Sequence, residues 1–243
     1  MKEKTFKFFA TQTGNLGDTS ALFPVLSGLY QKYNKKIELV VRLKMRNFKG
    51  FKELAENQDC IKSLKFEDNK FNRSEFTTLQ LCNDYTSQLN RPYEVSRYEH
   101  YLKKHLKLEF SVDDDFTLKV PEGGEVIYDK YIVGDRTYTP NSDMRRKFDA
   151  LRDCGKFKHD KCHFLDYNRS LIENLQIIKN NDKPLITTFT GISVLSDLMK
   201  KETMVFYDET LDNWDGKPIE SSFNQHFYRN RNSVLINLEE FII

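Results

Sequence analysis

Short apolar runs alternate with helical segments along most of this chain, and that alternation limits the fold more than any other feature. TFKFFA precedes a helical segment at 20–33, which leads to the strand-like run IELVV. FKELAENQ and then IKSLKF repeat the same helix-to-strand order. Strands joined by helices pair in parallel, with the helices covering the sheet. The first part of the chain is therefore predicted to be an α/β unit.

The same order restarts after an acidic, Pro- and Gly-containing stretch, DDDFTLKVPEGGE. Runs such as YIVGD, CHFLDY, PLITTF and TMVFYD alternate there with helical segments. We predict two Rossmann-like α/β domains with mainly parallel sheets facing across a cleft. The predicted bounds are 1–122 and 123–220, followed by a tail at 221–243 that packs back on the domains.

Composition excludes several classes of protein. Apolar residues make up 39% and charged residues 30% of the 243 residues, as in ordinary globular proteins. No apolar stretch reaches the roughly 18–20 residues of a membrane span. The net charge of +2 is far from the basic excess of a dedicated nucleic-acid binder. Four cysteines without a CxxC pair predict reduced thiols and a cytoplasmic location.

The segment TGNLGDTS links the first strand to the first helix and carries the most informative polar residues. In open α/β sheets, ligands bind beyond the carboxyl ends of the strands. Gly14 and Gly17 would let the backbone approach a ligand there, beside Asn15. The segment has neither the GxGxxG pattern nor a GK[ST] lysine. Asp18 either complements the helix dipole or serves as a general base, and the residues alone leave both interpretations open.

Three stretches carry a resemblance to a known family. They are GDTSALFPVLSGLYQKYNKKIELVVR, RYEHYLKKHLKLEF with DFTLKVP, and SLIENLQIIKNNDKPLITTFTGISVLSDLMKKETMVFYD. Their order and spacing resemble the heptosyltransferase-like glycosyltransferases of family 9. The resemblance implies a GT-B architecture and inverting sugar transfer from a nucleotide-sugar donor, without metal or other cofactor. It implies that Asp18 is the catalytic base.

The resemblance also implies where the donor binds. A Thr-Gly turn that opens a helix would bind the donor phosphates through backbone amides, and here it comprises Thr188, Thr190, Gly191, Ile192 and Ser193.

The chain departs from the family pattern in this region. Phe189 and Val194 occupy the positions at which the family has an aspartate and a histidine. Asn141 occupies the position of a family lysine. One strand–helix unit of the donor domain is also missing. Arg136 follows a predicted strand, so we predict that it stabilises the leaving diphosphate. Residues 145–147 are either a further cationic contact or an exposed helix face.

A basic loop, RLKMRNFKG, follows the second strand. It is either solvated or contacts an anionic acceptor, and Arg42 joins Gly14, Asn15 and Gly17 as the predicted acceptor or phosphate contacts. Residues 113–115 are read as a solvated acidic turn rather than a metal site. We expect no metal at the His159, Cys162 and His163 group and a packing role for Trp214.

The leading hypothesis is an inverting, metal-independent glycosyltransferase. A first alternative keeps this chemistry and changes the acceptor from a glycan to a modified base in DNA. A second alternative is a non-catalytic protein that binds a nucleotide or nucleotide sugar. The sugar, the nucleotide and the oligomeric state are left open.

Overall fold

The chain divides into two compact units, Met1–Pro121 and Glu122–Ile243. The computed structural model describes residues 6–10, 15–67, 77–79, 91–134, 160–166, 168–207, 227–228 and 231–237. We call the two parts the N-terminal unit and the C-terminal unit.

The N-terminal unit is built on a four-stranded sheet in the order β3-β2-β1-β4, and every pairing is parallel. Its strands are β1 (Phe6–Ala10), β2 (Ile37–Arg42), β3 (Ile61–Glu67) and β4 (Thr77–Leu79). The predicted parallel α/β order is confirmed for β1 to β3. The three-residue β4 falls in a stretch whose sequence fits helix and strand equally well.

Helices cover this sheet. They are α1 (Leu16–Ser20), α2 (Leu22–Tyr33), a 3₁₀ helix (Leu43–Asn47), α3 (Phe51–Glu56) and α4 (Tyr93–Leu106). The predicted single helix after β1 is in fact two helices that meet at Ala21. Pro24 lies in the first turn of α2, where a missing amide donor costs nothing. Asn34, in the left-handed conformation, ends α2.

The segment that follows α4 packs on α2. The amide of Asp113 donates to Pro24 O at 3.1 Å, and the Ser27 hydroxyl donates to the Asp113 carboxylate at 2.6 Å. The predicted solvated acidic turn is therefore solvated only in part, because Asp113 packs on α2. Arg91 makes charge-assisted hydrogen bonds to both carboxylate oxygens of Asp114, while Asp115 is exposed.

The C-terminal unit has a five-stranded parallel sheet in the order β6-β5-β7-β8-β9. Its strands are β5 (Tyr131–Val133), β6 (Cys162–Phe164), β7 (Leu185–Thr187), β8 (Thr203–Tyr207) and β9 (Ser233–Asn237). The described helices are α5 (Leu171–Asn180) and α6 (Gly191–Leu198). Both helices and strands β5 to β8 agree with the sequence prediction, whereas β9 lies in the predicted tail, for which the sequence predicts no strand.

Strand β9 pairs with β8 over five residues, and the chain around its start also contacts one buried carboxyl group, that of Asp197 in α6. The Ser233 hydroxyl donates to it at 2.8 Å and the Tyr228 amide at 3.4 Å. The guanidinium of Arg231 lies 3.8 Å from the same carboxylate and stacks 3.9 Å from the centre of the Tyr228 ring. Within the described ranges, no helix has the length and apolarity needed to cross a membrane.

Candidate functional site

Asp18 lies in the first turn of α1, just beyond the carboxyl end of β1. Asn15 is the N-cap residue with extended backbone, and its side-chain amide donates to Asp18 Oδ2 at 3.5 Å. The Asp18 side chain is half-buried. A carboxylate in this position is favoured by the helix dipole and remains accessible to a ligand, so the structure is compatible with both interpretations made from the sequence.

The 3₁₀ helix after β2 contacts α1 through Met45 and Thr19. The Thr19 hydroxyl donates to Asn15 O at 2.8 Å and approaches the Met45 sulfur at 3.5 Å. Because β1 and β2 pair in parallel, their carboxyl ends lie at one edge of the sheet. The structure therefore brings Asn15, Asp18 and Arg42 to that edge, with Gly17 between the first two. Gly14 lies outside the described residues.

Tyr98 is the residue near Asp18 that the sequence analysis missed. Its ring is completely buried in α4, and its hydroxyl has no hydrogen-bond partner within the described part of the chain. Burial, followed by the negative charge of Asp18, raises the pKa of Tyr98 well above its ordinary value. The phenol therefore lies within the electrostatic reach of the candidate base. Helical periodicity indicates that this side chain is buried, but it gives no sign of the neighbouring carboxylate.

In the C-terminal unit, the predicted donor-binding residues form one continuous turn from β7 into α6. The amide of Thr190 donates to the Ser193 hydroxyl at 3.1 Å, and that hydroxyl donates to Thr190 O at 2.6 Å. The backbone amide of Ser193 also bonds to Thr190 O, at 3.1 Å. These bonds leave the first helical amides, those of Gly191 and Ile192, without an intrahelical acceptor.

Thr188 lies at the start of this turn with 5% of its surface exposed. Its side-chain hydroxyl has no hydrogen-bond partner in the described ranges. Most buried side-chain hydroxyl groups have a hydrogen-bond partner, so this one can still donate to a ligand or to water. Among the residues that the structure describes, the Thr188 hydroxyl is therefore an unused donor, and it lies next to the Gly191 and Ile192 amides at the start of the helix.

Phe189 and Val194 stand at the two positions where the resembled family has charged or ionisable residues. The Phe189 ring packs edge-on against Phe227, with centroids 6.1 Å apart and planes at 62°. Val194 is half-buried in the first turn of α6. Phe189 thus makes an apolar contact with Phe227. A carboxylate at position 189 could not pack against that ring.

Gly134, directly after β5, is a second residue that the sequence analysis missed. Its amide donates to Ile186 O at 2.7 Å. A Cβ at this position would lie 2.8 Å from Thr187 Oγ1 and 3.3 Å from Ile192 Cγ2, so only glycine fits without displacement. A glycine at a strand end was the available signal. Arg136 follows shortly but lies outside the described residues, as do Asn141, His159, Trp214 and residues 145–147.

Two described cysteines are free and buried. Burial raises the pKa of Cys60 to about 12 and also raises the pKa of Cys162. Neither thiol is therefore a nucleophile near neutral pH. The described residues contain no group of three or more His, Cys, Asp or Glu side chains suited to a metal ion. A metal-independent reaction remains a prediction.

No family model matches the chain, and no curated protein sequence matches it. Solved structures do. Escherichia coli heptosyltransferase WaaC with ADP matches with a TM-score of 0.55 and 12% identity over 98% of this chain and 96% of that one. A family 9 glycosyltransferase from Veillonella parvula DSM 2008 matches with a TM-score of 0.54 and 12% identity over 98% and 87%.

WaaC with ADP-2-deoxy-2-fluoro heptose also matches, with a TM-score of 0.52 and 11% identity over 96% and 93% of the two chains. The likeness is one of fold and extends over nearly the whole length of these proteins. The chain is an α/β protein with parallel sheets and a GT-B-like fold, and the resemblance to heptosyltransferase-like glycosyltransferases is confirmed at that level.

Proposed function

We propose that this chain is an inverting glycosyltransferase that moves a sugar from a nucleoside-diphosphate donor to an acceptor hydroxyl, with Asp18 as general base and without a metal. The observation that carries the proposal is the position of Asp18. It is a half-buried carboxylate at the carboxyl edge of the β1 sheet, within a fold shared almost end to end with heptosyltransferases.

In the proposed step, the acceptor oxygen attacks the anomeric carbon and its proton passes to the Asp18 carboxylate. The bond from the anomeric carbon to the diphosphate oxygen breaks, and the nucleoside diphosphate leaves with the electron pair. The Asn15 amide, 3.5 Å from Asp18 Oδ2, would hold the carboxylate in orientation. A positioned base of this kind contributes about 10²- to 10⁴-fold to the rate.

The donor half of the proposal rests on the turn from β7 into α6. The amides of Gly191 and Ile192 and the buried hydroxyl of Thr188 are the donors proposed to bind the diphosphate. Thr190 and Ser193 shape that turn through their mutual hydrogen bonds. Arg136 is proposed as a further contact to the leaving group. An ADP-sugar is the first donor to test, because the WaaC structures contain ADP or an ADP-heptose analogue.

The contact between Phe189 and Phe227 favours one alternative. An apolar pair occupies a position that is polar in the resembled family, as expected of a protein that retains the fold but has lost donor chemistry. This second candidate is a non-catalytic protein that binds a nucleotide or nucleotide sugar.

A donor panel separates the two candidates. Thermal stabilisation and nucleotide release should be measured with ADP-, GDP-, UDP- and CMP-sugars for wild type, Asp18→Asn and Asp115→Asn. Asp115 is an exposed aspartate and gives a control for the same chemical change. We expect one donor to stabilise all three proteins, and Asp18→Asn alone to lose about 10²-fold or more in nucleotide release.

Each other outcome assigns the function differently. Donor stabilisation without turnover, even with glycan acceptors and DNA carrying modified bases added, supports the binding protein. Equal turnover by wild type and Asp18→Asn removes Asp18 as the base. No stabilisation by any donor contradicts both candidates and leaves only the fold.

A further inference from the structure

The turn from β7 into α6 presents apolar side chains at its surface. From Leu185 to Leu198, a stretch that the structure describes throughout, only Phe189 and Val194 are not buried. We call these two residues the apolar pair. A ligand that contacts the side chains of this turn therefore meets a phenyl ring and an isopropyl group.

The hydroxyl groups around the apolar pair have other partners or another proposed role. The Ser193 hydroxyl accepts from the Thr190 amide at 3.1 Å and donates to Thr190 O at 2.6 Å. The Thr187 and Thr190 hydroxyls share a hydrogen bond of 3.4 Å. The Thr188 hydroxyl, which has no partner among the described residues, is proposed to bind the donor diphosphate. The turn thus has no further side-chain hydroxyl to offer to a sugar.

The apolar pair is held in place at the start of α6. Thr190 is the N-cap residue, so Phe189 precedes the cap and Val194 is the fourth helical residue. Apolar residues at these two positions often pack together and fix the entry of the chain into a helix. The Phe189 ring also packs edge-on against Phe227, which is only 1% exposed. Phe189 therefore cannot turn away from a ligand without losing that contact.

The donor sugar is the variable part of the proposed ligand that comes nearest to the apolar pair. The amides of Gly191 and Ile192 are proposed to bind the diphosphate, and the apolar pair flanks these residues in the sequence. The sugar is bonded directly to the terminal phosphate, whereas the ribose separates the nucleobase from the phosphates. A sugar hydroxyl group pressed against the apolar pair would lose water without gaining a hydrogen bond, which is unfavourable.

We propose that the donor carries a deoxyhexose whose exocyclic carbon is a methyl group, and that the apolar pair binds this methyl group. Loss of a ring hydroxyl leaves only a hydrogen atom, whereas loss of the exocyclic hydroxyl leaves a methyl group that two apolar side chains can contact. Phe189 and Val194 then determine specificity at positions that are polar in the resembled family. The proposal rests on the donor-binding half of the proposed function and does not depend on Asp18.

Matched pairs of donors test the proposal. Dissociation constants for the wild-type chain should be measured by titration calorimetry with GDP-mannose and GDP-D-rhamnose, UDP-glucose and UDP-quinovose, and ADP-glucose and ADP-quinovose. The two members of each pair differ only in the exocyclic hydroxyl group. For the nucleotide that binds, we expect the methyl-bearing donor to bind about tenfold to a hundredfold more tightly, because an apolar pocket discriminates against one added hydroxyl group by about this factor.

Variants locate the contact. Val194→Thr keeps the shape of the side chain and adds a hydroxyl group, and Phe189→His keeps an aromatic ring and adds a polar nitrogen. Each should reduce the preference for the methyl-bearing donor by about twofold to tenfold, the value of one hydrogen bond. Val126→Thr makes the same exchange at a residue of this unit that is 41% exposed and outside the turn, and it should keep the full preference. Circular dichroism should verify that each variant is folded.

The outcomes separate this proposal from the proposed function. Equal binding of both members of a pair, or tighter binding of the hydroxylated member, overturns the deoxyhexose and leaves donor binding in place. A preference that Val194→Thr and Phe189→His both leave unchanged means that the methyl group binds elsewhere, and it overturns the role of the apolar pair. Binding of none of the donors contradicts the proposed function and this proposal together.

Discussion

The carboxyl group of Asp197 should make the stability of the C-terminal unit depend on pH in a direction opposite to that of most carboxylates. Burial raises the pKa of Asp197 from 3.8 to about 6, although Arg231, Ser233 and the Tyr228 amide all favour the charged form. Because the folded pKa lies above the unfolded one, the folded state prefers the proton. The stabilisation is complete below about pH 4 and is lost as the pH rises through about 6.

The size of the effect follows from the two pKa values. A shift of about two units, at 1.36 kcal/mol for each unit, gives a change of about 3 kcal/mol between pH 3 and pH 7. Asp197→Asn cannot ionise and should lack this dependence. The free energy of unfolding should therefore be measured by urea titration across this range for both proteins, and the wild-type value minus the variant value should fall by about 3 kcal/mol.

Subtraction of the two curves removes the titration of the other carboxylates. Asp129→Asn is the control, because Asp129 is exposed with φ of 56°, a backbone conformation that asparagine also adopts. Its difference from wild type should stay flat with pH. A wild-type minus Asp197→Asn difference that rises with pH would refute the reasoning and show that the Arg231 ion pair outweighs burial.

Two further substitutions test packing in the N-terminal unit. Gly28→Ala should destabilise the protein, because the new Cβ would lie 2.0 Å from the backbone oxygen of Ser111. That overpacking costs about 1–3 kcal/mol, with the upper end expected at a rigid carbonyl, against a gain of about 1 kcal/mol in helix propensity. A higher urea midpoint would contradict it. Tyr98→Phe removes a buried hydroxyl without a partner in the described ranges and should stabilise by up to about 1–3 kcal/mol. A loss of stability on thermal unfolding would indicate that this hydroxyl is satisfied in solution.

The order of strands and helices could be predicted from sequence because each depends on local periodicity. Runs such as IELVV and PLITTF are apolar and short, and the amphipathic segments between them are helical in both units. Strand β9 could not be predicted in this way. SVLIN is a short run in a polar tail, and its place in the sheet depends on pairing with β8 and on a contact between Ser233 and the distant carboxyl group of Asp197.

The residues of the candidate site could likewise be predicted only where the signal is local in the sequence. Asp18 and the turn at Thr190–Ser193 could be located because each lies in a segment that links a predicted strand to a helix, and their roles in catalysis and binding stay predictions. The proximity of Tyr98 to Asp18 and the packing of Phe189 could not be predicted, because a buried phenol in α4 has the same sequence pattern as any core residue. The partner of Phe189, Phe227, is remote in sequence. Contacts between remote residues leave no periodic signal in the chain.

The position of β1 at the centre of its sheet has a consequence for folding. Its two neighbours come from residues 37–42 and 77–79, and α2 is covered by later parts of the chain, including α4 and the segment around Asp113. The two strand pairings require closure of progressively longer loops, which makes parallel sheets slow to fold. One edge of β1 therefore stays open on a growing chain until β4 has been synthesised. During that interval the open edge of FKFFA is exposed to aggregation and to capture by chaperones.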